Sequence, residues 1–231
     1  MRLCMFSPRD AALERGWPGR IEGDRVVQLA AQTLQSFFTG GGKAREHAEY
    51  LLEDVLLRAP VLHPPSVRVF EGLDFRFSNP ASVYGPEDEI PYPEGTEQLD
   101  YELRIAAVIG ADGAIGGFTL MNDWNARDLG PAKDRDFATS IGPLVVTPDE
   151  LGDLGHEVVA RVNGEGRSHG RLDLSWDAIV DHAARNTRLL PGDVLAAGRI
   201  GGDDTRLRPG DVVELEAEQI GVLRNRVRPA R

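Results

Sequence analysis

Short β-type runs, each closed by Gly, Pro or Asp after a few residues, fill the last two thirds of this sequence and leave little room for long helices. They lie at residues 104–109, 144–147, 157–162, 193–197 and 211–216. Two are introduced by the same device, Pro191-Gly192-Asp193 and Pro209-Gly210-Asp211. Proline presets φ, glycine accepts a positive φ, and the aspartate side chain bonds to nearby backbone, so a Pro-Gly-Asp triplet feeding a Val-rich run is a turn signal that carries no chemistry. One amphipathic helix is expected over residues 176–187, with Ile179, Val180 and Ala183 facing inward. This predicts an α+β domain, mainly β with some α, built on a rolled or barrel-like sheet whose strand order is not legible.

The first sixty residues read as a small α/β piece. Residues 2–6 and 25–29 can pair as strands, with Gly16, Pro18, Gly19 and Gly23 as turn residues. Helices are expected over 30–38 and 43–52, separated by Gly40-Gly41-Gly42. Pro60, Pro64 and Pro65 make a stiff, extended junction. The chain of 231 residues therefore divides into an N-terminal part, 1–60, and a larger domain, 61–231.

Composition removes several classes of function. With 26 Lys and Arg against 37 Asp and Glu, the net charge of -11 argues against nucleic acid, whose phosphates need a basic face. No apolar run approaches the roughly 20 residues of a membrane span, and the opening MRLCMFSPRD lacks the apolar core of a secretion signal. A lone cysteine, Cys4, forms no internal disulfide and reads as a small buried hydrophobe. The expectation is a cytoplasmic protein.

Two segments carry chemistry. In Asp100-Tyr101-Glu102-Leu103-Arg104-Ile105, strand alternation places Asp100, Glu102 and Arg104 on one face and Tyr101, Leu103 and Ile105 on the other. A solvated strand face with a salt link would look the same. The second segment, Asn122-Asp123-Trp124-Asn125-Ala126-Arg127-Asp128, follows an apolar run, and a capped helix or turn would explain it without function.

Taken together, the two segments resemble the fumarylacetoacetate hydrolase family, whose members carry Asp-Tyr-Glu-x-Glu and then Asn-Asp-x-Ser-Ala-Arg-Asp. Lys133 to Phe137, Gly142-Pro143, Pro191-Gly192-Asp193 and Gly221 to Asn225 continue the resemblance, which runs from about Leu62 to Val227. It implies a β-roll domain and enolate chemistry on a 2-oxo acid or acylpyruvate: C–C hydrolysis, decarboxylation or isomerisation, by a hydrolase, lyase or isomerase. It also implies magnesium or manganese held by carboxylates, Glu102 and Asp123 here, since hard cations select oxygen ligands. The resemblance further implies catalytic roles for Lys133, Arg127 and Arg135, with Lys133 and Arg135 alternative occupants of one lysine position. Thr139, Arg199 and Arg104 are expected to bind a small carboxylate substrate, and a homodimer is expected, with Phe70, Phe75 and Phe77 as its apolar rationale.

The chain departs from that pattern at functional positions. Arg104 stands where a second glutamate is expected, and a guanidinium cannot ligate a metal, so metal binding is expected to be weak or absent. Alternatively, Asp100 swings in as a ligand, or Arg104 pairs with Glu102 and Asp123 in a closed charge cluster. Leu73 occupies the place of a water-activating histidine, and His63 beside Pro64-Pro65 reads as a surface residue. Gly198-Arg199 replaces a Gly-Thr pair. Three readings stay open: an enzyme with an unconventional metal shell, a metal-free enzyme in which Arg104, Arg135 and Arg199 hold the substrate, and a non-catalytic binding protein or partner subunit.

Overall fold

A computed structural model describes residues 1–11, 13–152, 157–172, 174–202 and 205–229. The strand Leu103–Ile109 is buried along its whole length, so both of its faces must be covered. Leu103, Ile105, Ala107 and Ile109 point into one apolar core, and Ala106 and Val108 into a second. Either side of it lie Ile115–Asp123 and Val194–Ile200, both antiparallel. The sheet continues through Thr139–Val146 to Arg2–Pro8, Trp17–Glu22, Arg25–Leu29 and Glu46–Leu51. In the other direction it runs through Val67–Glu71 to Asp74–Ser78. With two short additions, twelve strands join among the described residues, drawn from both sides of the Pro60–Pro65 junction. The division of the chain at residue 60 is kept as a proposal about its organisation.

A second sheet of five strands, Glu165–Arg171, Glu157–Val162, Val212–Ala217, Gly221–Arg228 and Glu89–Pro91, packs Val158, Ala160, Leu215 and Leu223 into the first core. The helix Trp176–Ala184 closes the same core, with Trp176 against Phe118 at 5.1 Å and with Ile179 and Ala183 buried, while Val180 is half-buried. Its last turn meets a cation, since Arg68 Nη1 donates to the Ala183 carbonyl at 2.6 Å, where the helix dipole favours positive charge. No helix among the described residues is long and apolar enough to cross a membrane. The fold is the mainly β, α+β arrangement expected from the turn-punctuated runs.

Three local expectations are corrected. Arg2–Pro8 and Arg25–Leu29 both form, but Trp17–Glu22 lies between them. Pro18 and Gly19 therefore sit in a strand, and glycine is required there because a Cβ would come within 2.6 Å of Val26 Cγ1. Residues 43–52 give no helix but the edge strand Glu46–Leu51. Its charges mimic a helical surface, yet they answer cross-strand arginines, with Arg20–Glu46 at 2.7 Å and Arg25–Glu49 at 3.2 Å. Charged edges also discourage unwanted pairing. The N-terminal helix is confined to Leu34–Thr39, started by a Thr33–Ser36 capping box. The second segment, for which a capped helix or a turn stood open, is strand through Asp123 and again at Asn125–Ala126, which pairs with Leu99–Asp100, and a turn follows at Arg127–Asp128.

The contact between Ile115–Asp123 and Thr139–Val146 depends on the absence of a side chain at Gly117, where a Cβ would lie 2.7 Å from the Val146 carbonyl oxygen. Gly117→Ala should cost about 1–3 kcal/mol by overpacking. The measurement is the urea midpoint, with an unchanged slope. A midpoint equal to wild type would mean that these strands separate freely.

Candidate functional site

The antiparallel register sets Leu103 opposite Asn122, so Glu102 and Asp123, twenty-one residues apart in sequence, become neighbours. The join is pinned by backbone: Asp123 N–H donates to the Glu102 carbonyl at 3.0 Å, and Glu102 N–H donates to Asn122 Oδ1 at 3.1 Å. Both carboxylates are fully buried. One nitrogen, Arg135 Nη1, is 2.9 Å from both Glu102 Oε2 and Asp123 Oδ2, so these oxygens lie within twice that distance of each other.

Five guanidiniums converge on this pair. Arg135 grips Glu102 with two nitrogens, Nη1 on Oε2 and Nη2 on Oε1 at 2.7 Å, a fork that is both strong and directional. Arg104 is 1% exposed and spends every nitrogen. Its Nε donates to Asp123 Oδ2 at 3.2 Å, Nη1 to the Phe70 carbonyl at 3.3 Å, and Nη2 to Glu71 Oε1 at 2.6 Å and Glu102 Oε2 at 2.9 Å. Arg127 joins Asp100 at 2.9 Å, Glu102 at 3.4 Å and the Gly202 carbonyl. Arg199 Nη1 stands 3.6 Å from Glu102 Oε1. Arg76 reaches Asp123 Oδ2 from the edge strand Asp74–Ser78. Thr139 is paired with Asp123 in register and shares a 3.0 Å hydroxyl bond with Ser78.

Of the residues singled out in the sequence, Glu102, Asp123, Arg104, Arg127, Arg135, Arg199 and Thr139 are brought together. Lys133 is not: it is exposed and paired with Asp136, and Arg135 takes the inward position of that loop. Asp100 holds Arg127. Leu73 is half exposed at the hairpin tip, and His63 lines a different cavity with Met5, Arg15 and Gln35. Two members went unnoticed in the sequence. Arg76 had a signal, since alternation in Asp74–Ser78 turns Arg76 and Ser78 opposite to Phe75 and Phe77. Asn125 lies within the second segment, and its amide donates to Glu102 Oε1 at 3.3 Å. Arg76 and Arg135 also face a cleft of about 290 Å³, lined by Phe77, Ser78, Asn79, Asp134 and Asp136 among others.

A divalent cation does not fit this donor set. Both Glu102 oxygens are already taken by guanidiniums, as is Asp123 Oδ2. Asp123 Oδ1 and Asn125 Oδ1 are the oxygens of this cluster, among the described residues, that are buried without a partner. Among the described residues, no group of three or more His, Cys, Asp or Glu side chains could hold a metal ion. At about 4 Å two unit charges near a protein surface interact by about 4 kcal/mol, so a divalent ion beside Arg104 would meet about twice that in repulsion.

Burial opposes ionisation of Glu102, but the Arg135 hydrogen bond and the charges of Arg135 and Arg104 outweigh it and hold the carboxyl at about 2. Burial likewise works against the charge of Arg104 and Arg135, and the facing carboxylates overcome it, raising both. The ordinary value for Glu102 is 4.5. Its folded value is depressed, so its contribution is complete above pH 4.5 and is lost as pH falls through about 2. The amount is on the order of 3 kcal/mol. Denaturant midpoints measured from pH 7 to 2.5 should fall steeply below pH 4.5, and Glu102→Gln should be less stable at pH 7 and lose part of that slope. An identical slope in the variant would show that the carboxyl is not held ionised by the arginines.

Residues 44–228 match the family model described as fumarylacetoacetate (FAA) hydrolase C-terminal. The chain is 35% identical over 168 residues to an uncharacterized protein of Methanocaldococcus jannaschii, covering 64% of this chain and 69% of that one. It is 29% identical over 178 residues to a human mitochondrial oxaloacetate tautomerase, covering 64% of this chain and only 56% of that protein. A solved 5-carboxymethyl-2-hydroxymuconate delta-isomerase from Mycobacterium smegmatis superposes with a TM-score of 0.81 at 25% identity, over 99% of this chain and 100% of that one. Solved proteins at 18% and 20% identity that hold magnesium or manganese share the fold. Since the family match takes in both strands of the charge cluster and most of the chain, the protein belongs to the fumarylacetoacetate hydrolase family.

Proposed function

We propose that this protein binds a small 2-oxo carboxylate in the arginine-lined cleft and stabilises an enolate formed from it, by C–H proton abstraction in keto–enol tautomerisation or by loss of carbon dioxide in decarboxylation. The observation that carries this reading is the placing of Arg76 and Arg135 at once on the buried carboxylates and on a cleft of about 290 Å³. That volume suits a small ligand. One guanidinium can pair with the substrate carboxylate while the other faces the 2-oxo oxygen. Guanidiniums already fixed by Glu102 and Asp123 need little reorganisation when negative charge develops on that oxygen.

Glu71 is the candidate base. Its side chain is 67% exposed at the end of the strand Val67–Glu71 and oriented by Arg104 Nη2 at 2.6 Å. It takes a proton from the carbon beside the 2-oxo group, the electron pair moves to the oxygen, and return of the proton to that oxygen gives the enol. Hydrolysis would need a base to activate water, and Leu73 stands in the position where the family resemblance leads one to expect that histidine. A second reading, a non-catalytic binding protein or partner subunit, is favoured by the complete engagement of Glu102 within the protein. A reducing, cytoplasmic setting suits Cys4, which is fully buried and whose thiol burial pushes up to about 12.

The test offers oxaloacetate and an acylpyruvate side by side, followed by ultraviolet absorbance. Tautomerisation or decarboxylation of oxaloacetate should outrun hydrolysis of the acylpyruvate, and Glu71→Gln should slow the tautomerisation by about 10²–10⁴-fold. Faster hydrolysis would overturn the proposal. Silence on both substrates, with pyruvate still raising the melting temperature, would establish the binding-protein reading instead.

We further propose a homodimer. Phe70 is 1% exposed and stacks on Phe75 at 5.0 Å, so it belongs to the core rather than to an interface. Phe77 is 67% exposed on the terminal strand Asp74–Ser78 and supplies the apolar anchor. Sedimentation at micromolar concentration should give twice the 25.2 kDa chain mass, and Phe77→Glu should halve it. A wild-type protein that sediments as a single chain would refute the dimer.

A further inference from the structure

We infer that Arg104 is a built-in cation, a guanidinium that fills the site where a divalent metal would otherwise sit and makes this centre independent of metal ions. The inference rests on the same site assignment as the proposed function, but not on turnover. Arg104 is the second residue of the buried strand Leu103–Ile109 and is 1% exposed. Its position is that of a glutamate in the family pattern that the sequence resembles. Nothing about the strand forces a buried arginine, because Ala106 and Val108 on the same face sit in an apolar core. A guanidinium tolerates such burial only with anions and acceptors at every edge, and here Nε, Nη1 and Nη2 each have one.

The acceptors are informative. Arg104 bridges Glu102 Oε2 at 2.9 Å and Asp123 Oδ2 at 3.2 Å, the two carboxylates that the resemblance assigns to metal. It also draws in Glu71 at 2.6 Å, which brings a third carboxylate to the cluster. The substitution therefore does two things together: it removes one anionic ligand and places a permanent positive charge among the others. Unlike a bound ion, this charge cannot be chelated, exchanged or diluted away. Arg135 then locks the arrangement from the other side by taking both Glu102 oxygens.

Manganese is the probe, read without substrate by paramagnetic resonance and by thermal melting of the whole protein, so that failure of the proposed chemistry leaves this result unaffected. Wild type should show no stoichiometric bound manganese, and its melting temperature should be the same in millimolar manganese and in EDTA. Arg104→Glu should bind one manganese per chain and melt several degrees higher with the ion than without it. Arg104→Gln, which keeps polar bulk but restores no ligand, should melt below wild type and gain at most a small response to manganese. One tightly bound manganese in wild type would overturn the inference, as would a folded Arg104→Glu that binds none. Should Arg104→Glu fail to fold, wild type and Arg104→Gln still decide: a Gln variant as stable as wild type in EDTA would show that the arginine's charge holds nothing together.

Discussion

The two-pronged grip of Arg135 on Glu102, with Arg104 bridging from Glu102 to Asp123, is the interaction on which the site depends. Transfer of one ion out of water costs several kcal/mol even after relaxation, and three of these four side chains are at most 1% exposed. None of the charges is tolerable alone. Removing one partner leaves another uncompensated, which costs about 3–5 kcal/mol, more than the net worth of the pair itself. The cluster therefore acts less as a source of stability than as a constraint: the strands Leu103–Ile109 and Ile115–Asp123 must hold their register, or a buried ion loses its partner.

That constraint explains which parts were readable beforehand. Leu103–Ile109 and Glu157–Val162 declare themselves because burial and pairing demand apolar, β-branched residues in runs bounded by turns. The strand Glu46–Leu51 does not. It is an edge with a mostly exposed surface, so its residues answer to solubility and to Arg20 and Arg25 rather than to a core, and Glu-His-Ala-Glu-Tyr suits a helix equally well. Trp17–Glu22 was hidden by Pro18 and Gly19, which usually mark turns; here glycine serves the close approach of Phe6 and Val26. The neighbours of a residue, rather than its own propensity, decided both cases.

The site divides in the same way. Glu102 and Asp123 could be paired from sequence through the family resemblance, and the antiparallel register of Leu103 with Asn122 is what makes residues twenty-one apart adjacent. Thr139 came from the same resemblance, and the next strand over sets it opposite Asp123. Arg76 could not be placed so, because its strand reaches the cluster from the terminus of the sheet, after Val67–Glu71 has entered it parallel to Val194–Ile200. Parallel pairings leave no short-range trace in a sequence. The choice between Lys133 and Arg135 turned on the path of one irregular loop. That path is set by backbone bonds, Ala126 N–H to the Asp134 carbonyl at 2.7 Å and Lys133 N–H to the Gly130 carbonyl at 2.7 Å, which alternation rules do not describe.

Part of the scaffold is held by bonds that the charge cluster does not share. Trp124 Nε1 donates to Ser140 Oγ at 2.9 Å, and Asn225 donates to the Gly85 and Asp88 carbonyls, each at 2.9 Å, without touching a single cluster guanidinium. Asn122 fixes Glu102 through its backbone rather than its carboxylate. A side chain at position 104 can thus change sign while the main chain that carries Glu102 and Asp123 stays where it is. The change does not stop at one residue, because a buried cation draws further anions, as Glu71 shows, and crowded carboxylates draw further cations, as Arg76 and Arg135 show. The cleft has Arg76 and Arg135 in its lining, both already oriented by buried carboxylates. Pre-organised charge of that kind is what an enolate requires.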